Sequence, residues 1–272
     1  MAKGVNLQKA CEGLKLPKDR EGKKLDRVQK QIKKGIGMLK YPEKTMPAIT
    51  VPLHYLSRVM AYPPPEAALV LALTAEIAYE NRDVGITYGG VGEKRVQLDV
   101  RMEVGMDAPP PAELAATADA TWGAEDKDVY AYLIMRSGGA VAHGRRNVDA
   151  VCDASFDSES IASTKVTHKA LYCQAIEQAI GALPVRPTIV GTDSASNLAV
   201  ARRQGAAANS RHSLRRYHAL IQRMADGDIF LAKVATAEMP CDFMTKFVGK
   251  EKLRKSLAYA TNVANRVGAL AP

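Results

Sequence analysis

The sequence predicts an α/β domain of five short strands interleaved with helices, preceded by a helical segment and a basic N-terminal arm. Three observations lead there. Residues 114–145 divide into short runs separated by turn residues, and the middle one, 129–136, alternates with the two-residue period of a strand. Residues 188–193 and 229–235 add two more short apolar runs, each opened or closed by an acid or a glycine turn. Between and after these runs, apolar residues recur at helical spacing, as at Val166, Ala170, Cys173, Ile176 and Ile180.

In chain order, residues 1–46 carry 13 Lys and Arg against 5 Asp and Glu, so nearly all of the net charge of +9 sits in this arm. Such a stretch reads either as a solvated tail or as an arm that binds nucleic acid. From Met46 the pattern turns helical, with Ile49, Leu53, Leu56 and Met60 on one face. Pro63, Pro64 and Pro65 close that helix and a second starts at Glu66. Residues 84–88 and 96–104 look like strands around a glycine turn. The run Asp107-Ala108-Pro109-Pro110-Pro111 is stiff and unable to join a ladder, which places a domain boundary there.

The first strand of the following domain ends near Asp119, and Ser137-Gly138-Gly139 is a hairpin corner. A polar insertion is expected over 147–160, then a long helix over 161–183, the fourth strand ending in Asp193, and helices over 195–204 and 211–225. After the fifth strand, a short helix over 238–247 contains Asp242. A lone Asp at a strand end is usually there for the turn. Asp119 gains weight only from the company of Asp193 and Asp242.

Composition sets bounds on function. The basic pI near 9.3 suits a polyanionic partner such as nucleic acid. Four scattered cysteines suggest neither a disulfide framework nor a zinc site, and point to a reducing compartment. The longest apolar run, residues 67–79, is broken by Glu76 and too short to span a bilayer, and the N-terminus lacks the apolar core of a signal peptide. An intracellular chain without membrane insertion is expected; nucleus, cytoplasm and organelle are not distinguished.

The order of elements, with acids at the ends of strands one and four and in the last helix, is similar to the ribonuclease H arrangement. The local sequences resemble the C-terminal part of a copia-type retrotransposon polyprotein. Asp119-Ala120-Thr121-Trp122 resembles the family's D-x-D-W motif, and Gly191-Thr192-Asp193-Ser194 its T-D-N motif. The run from His212 to His218 is similar to its H-I-D-I-R-Y-H helix. Asp226-Gly227-Asp228-Ile229 with Cys241-Asp242-Phe243-Met244-Thr245-Lys246 is similar to its D-G-x-I … A-D-x-x-T-K ending. Upstream, Ile36-Gly37-Met38-Leu39-Lys40-Tyr41, Thr45-Met46-Pro47-Ala48-Ile49 and Leu56-Ser57-Arg58-Val59-Met60 resemble motifs of its reverse transcriptase thumb and connection.

The resemblance implies a ribonuclease H-like mixed five-stranded sheet flanked by helices over 113–256. It also implies a thumb and connection remnant over 35–106, which leaves the basic arm as 1–34 and a tail as 257–272. It implies Asp119, Asp193 and Asp242 as ligands for Mg²⁺, a hard cation that prefers oxygen. Two such ions would activate water and stabilise the leaving oxygen.

The family's polymerase turn, Y-x-D-D, has no counterpart, so no polymerase activity is expected. Its S-S-x-E-A-E-Y-x-A-L helix, set against residues 162–171, puts Thr167 at the catalytic Glu and Lys165 at the other acid. That alignment implies weakened metal binding, unless Glu159 or Asp157 substitutes. Arg202, Arg203, Arg211, His212, Arg215, Arg216 and His218 are either a face for nucleic acid or a solvated helix surface.

Three functions follow from this reading. The first is a degenerate ribonuclease H-like protein that binds RNA or RNA–DNA hybrid with little or no cleavage. The others are an active Mg²⁺-dependent ribonuclease H and a domesticated structural subunit of a ribonucleoprotein or other large assembly.

Overall fold

The computed structural model describes residues 6–18, 24–88, 114–123, 127–182, 187–202 and 214–263. The contacts divide the chain into two compact units, 1–86 with 265–272, and 87–264. The boundary expected at 107–111 and the strand expected at 96–104 fall outside the described residues.

The first unit is helical, and part of the expected arm belongs to it. Helix α1 (Leu7–Glu12) is capped by Asn6, whose side chain accepts from Lys9 N. Helix α2 (Arg27–Leu39) opens on a capping box. Gln29 N donates to Asp26 Oδ1 at 2.8 Å, and the Gln29 side chain accepts from Asp26 N at 3.1 Å. Cys11, Ile32 and Ile36 are buried while the lysines of α2 stay exposed, so this charged stretch packs on an apolar stripe. Helix α3 (Thr50–Val59) is buried along most of its length, and α4 (Ala67–Glu80) buries Val70, Thr74 and Ala78 at four-residue spacing. A Cβ on Gly35 of α2 would lie 2.6 Å from Leu71 Cδ2, so this glycine permits close approach of α2 to α4.

The second unit is a mixed five-stranded sheet with helices against it. Strands β1 (Leu114–Thr121), β2 (Val129–Arg136) and β3 (Gly139–Asn147) form an antiparallel meander. The β2–β3 corner is Ser137-Gly138, both with positive φ, as a two-residue primed turn requires. Helix α5 (Ser155–Ala179) crosses to β4 (Thr188–Thr192), which pairs parallel with β1. Helices α6 (Ala195–Ala201) and α7 (Leu214–Ala225) lead to β5 (Ile229–Lys233), parallel to β4. The strand order is β3-β2-β1-β4-β5. The short helix α8 (Asp242–Thr245) and α9 (Lys250–Thr261) close the unit.

Strand β2 explains the layering. Tyr130, Tyr132 and Ile134 belong to the cluster with Ile161, Val166, Ala170 and Tyr217 of α5 and α7. The alternate residues Ala131, Leu133 and Met135 are also buried, and α8 packs against β2 while α9 packs against β3. A strand covered on both faces reads as a nearly unbroken apolar run.

Three expectations change. Residues 147–160 are not an insertion outside the helix, because α5 begins at Ser155 and buries Asp157, Ser158 and Ser160. Residues 84–88 form no strand; Tyr88 Oη donates to Ala140 O at 2.8 Å instead. The expected tail from 257 begins inside α9, whose Leu257, Ala258 and Ala260 are buried. Among the described residues no helix is long and apolar enough to cross a membrane.

Candidate metal centre

Register puts the first two acids together. Thr117 pairs with Gly191 across the parallel β1–β4 ladder, so two residues further on each strand Asp119 and Asp193 emerge at the same rim. Gly191 fits because a Cβ there would lie 2.7 Å from Val234 Cγ2 and 3.2 Å from Thr117 Cγ2. The alanines of β1 allow α5 to lie close against it, and α5 supplies Glu159 from its second turn. Glu159 Oε1 accepts from Ala120 N at 3.4 Å. One ligand oxygen from each of Asp119, Glu159 and Asp193 falls within 4.8 Å of the others.

The surroundings hold this geometry. Asn197 of α6 donates to Ser163 Oγ at 2.7 Å and to Glu159 O at 3.4 Å, tying α6 to α5 beneath the site. Lys233 donates to the carbonyl of Asp193. Thr245 Oγ1 donates to Asp119 Oδ2. Asp242, the first residue of α8, is buried and paired with two lysines. Lys252 Nζ donates to its Oδ2, and Lys246 Nζ lies 2.8 Å from its Oδ1.

The charges respond to this crowding. Burial, then the Asp242 charge, holds the Asp119 carboxyl up at about 8. Burial, then Asp119 and Asp193, pushes Glu159 up to about 9. Asp242 moves the other way: burial opposes its ionisation, but Lys246 and Lys252 outweigh burial and hold it below the ordinary range. Glu159 Oε2 is buried without a hydrogen-bond partner. Three crowded carboxyls and a buried orphan oxygen suit a hard divalent cation such as Mg²⁺, with Asp119, Glu159 and Asp193 as the ligand set.

The expected site residues separate into groups. Asp119 and Asp193 meet, and Asp242 lies beside Asp119 with its carboxylate committed to lysines. Thr167 does not join them; it is 1% exposed and two turns beyond Glu159 on α5, about 12 Å along the axis. The carboxylate beside Asp119 and Asp193 is Glu159, which sequence reasoning had placed outside the helix. A weak signal was present: eight residues upstream of Thr167, Glu159 and Ala162 match the family's E-A-E-Y-x-A pattern and Asp157 stands at its first acid, with serines at its Ala and Tyr.

Lys165, aligned with the second acid, is exposed and 3.7 Å from Asp149. Arg202 Nη2 is 3.4 Å from Leu231 O, so it leans on β5. His218 is exposed on α7, Arg215 and Arg216 fall in the first turn of α7, and Arg203, Arg211 and His212 lie outside the described residues. Trp122, the last residue of the first motif, is 50% exposed and donates to Cys152 O at 3.1 Å.

An antiparallel meander extended by two parallel strands, with acids at the ends of β1 and β4 and early in the crossing helix, defines a ribonuclease H-like domain. The chain is 27% identical over 121 residues to a retrovirus-related Pol polyprotein from transposon TNT 1-94 of Nicotiana tabacum. That match takes in 44% of this chain and 9% of the relative. It is a second line to the copia-type resemblance read from the motifs. No family model matches the chain.

Among solved structures, the N-terminal RNase H domain of Rv2228c from Mycobacterium tuberculosis, fused to maltose-binding protein, superposes with a TM-score of 0.39 at 9% identity. That superposition covers 54% of this chain and 96% of that one. LC11-RNase H1 in complex with RNA/DNA hybrid gives 0.35 at 9% identity, covering 46% and 88%. Prototype foamy virus protease–reverse transcriptase gives 0.35 at 14% identity, covering 78% and 29%. These likenesses are loose, and the fold assignment rests on strand order and register.

Proposed function

We propose that the second unit is a divalent-metal-dependent ribonuclease H that cleaves the RNA strand of an RNA–DNA hybrid, as one part of a copia-type retroelement polyprotein. The observation that carries this reading is the convergence of Asp119, Glu159 and Asp193 within 4.8 Å. It favours the active alternative over a degenerate site, because degeneracy was inferred from Thr167 and the third carboxylate comes from Glu159. The bound cation would supply the positive charge that acidifies an attacking water and stabilises the departing 3′ oxygen.

The chain's own residues do the rest. Asp119 and Glu159, held protonated near neutrality by burial and by neighbouring acids, would release protons on taking up a ligand role. Thr245 fixes one Asp119 oxygen and Ala120 N one Glu159 oxygen, and each bond restrains its carboxylate at the cluster. In the first unit, the exposed Arg27, Lys30, Lys33 and Lys34 of α2 suit contact with the phosphates of a nucleic acid.

The test is cleavage of a labelled RNA–DNA hybrid by the full chain with Mg²⁺ or Mn²⁺, beside Glu159→Gln and Asp119→Asn. RNA-strand cleavage by wild type alone is expected. Hybrid binding without cleavage in all three would return the degenerate reading. Neither binding nor cleavage would favour a structural role in an assembly.

A further inference from the structure

The fourth acid at the rim, Asp242, already holds two ammonium groups. They hold it differently. Lys252, from the first turn of α9, donates both to Asp242 Oδ2 and to Thr236 O, the latter at 2.7 Å, so it is pinned by two acceptors. Lys246 lies at the end of α8, four residues beyond Asp242. It is half exposed, and although its Nζ is 2.8 Å from Oδ1, that oxygen lacks an aligned hydrogen bond. Lys246 also lies within the electrostatic reach of Asp119, Asp193 and Glu159. One lysine is held by two acceptors, and the other is a half-exposed cation within reach of four carboxylates.

Resting on the metal-dependent reading, we propose that the Lys246 ammonium is a built-in competitor for the second divalent cation. One ion binds on Asp119, Glu159 and Asp193. A second, shared between Asp119 and Asp242, binds only by displacing Lys246 into solvent, while Lys252 keeps Asp242 in place. The chain thereby sets a higher concentration threshold for the second ion than for the first.

The experiment counts bound Mn²⁺ by electron paramagnetic resonance of the free ion, with full-length wild type, Lys246→Met, Lys246→Gln and Lys246→Arg. Wild type and Lys246→Arg should take one ion tightly and a second weakly. Both neutral variants should bind the second ion at least about tenfold more tightly, in the range that changes next to a metal site produce. The first ion should hold to within about threefold.

Lys252 is untouched in every variant, so Asp242 keeps an ammonium partner, and melting curves check the fold. Two ions of equal affinity in wild type, or a second site unmoved in both neutral variants, overturns the inference and leaves the proposed function standing. No Mn²⁺ bound by wild type overturns both.

Discussion

Replacing Glu159 by Gln separates the two possible positions of the third ligand. The substitution keeps the shape and removes the charge. With its carboxyl pushed up to about 9, Glu159 in the metal-free protein stays largely protonated at pH 7. The amide therefore mimics the resident protonated acid, and the metal-free Tm at pH 7 should be unchanged within about 2 °C.

Cation affinity should nonetheless fall 10- to 100-fold or more, about 1.4–2.7 kcal/mol, because one of three anionic ligands is gone. Thr167→Glu is the mirror experiment. Its position is 1% exposed and far from the cluster, so a carboxylate there lacks a counter-charge and should cost roughly 3–5 kcal/mol without improving metal binding or cleavage. Calorimetric Mn²⁺ titration and thermal melts of both variants decide the matter. If Glu159→Gln binds Mn²⁺ like wild type while Thr167→Glu gains affinity, the assignment of Glu159 is wrong.

Further outcomes follow from the same geometry. In EDTA, Asp119 and Glu159 bind protons in the folded state that the unfolded chain has released between about pH 4 and pH 9, so stability should decline as pH rises through that window. Saturating Mg²⁺ should flatten the slope, and a Tm that climbs from pH 5 to 9 in EDTA would contradict the crowded-carboxyl picture. Thr245→Val removes the donor to Asp119 Oδ2 and should lower stability by about 1–3 kcal/mol, read by urea unfolding. Gly191→Ala forces a methyl against Val234 and Thr117 and should cost about 1–3 kcal/mol; an unshifted urea midpoint would show that β1 and β4 have slack.

The sheet was legible because its signals are local. The alternation of 129–136, the Ser137-Gly138 corner and the apolar run at 188–192 each mark their own element, and β2 has the bounds read from sequence. The start of α5 was hidden for a chemical reason. Its first two turns bury Asp157, Ser158 and Ser160, so hydrophobic periodicity is silent where the helix builds the rim. Serines and an aspartate read as a turn, which moved the expected helix start from Ser155 to 161 and led the motif alignment to Thr167. In the arm, Ile32 and Ile36 were outnumbered by lysines although their four-residue spacing marks a buried stripe. The partnership of Lys252 with Asp242 joins two elements ten residues apart, and no pattern along the chain announces it.

The register that sets Thr117 beside Gly191 also times assembly of the site. Asp193 is synthesised 74 residues after Asp119, and Glu159 lies between them on the helix that packs against β1. A nascent chain that has not yet produced β4 holds two of the three cluster acids without the third. The three-carboxylate cluster thus forms only once β1 and β4 have paired across that separation.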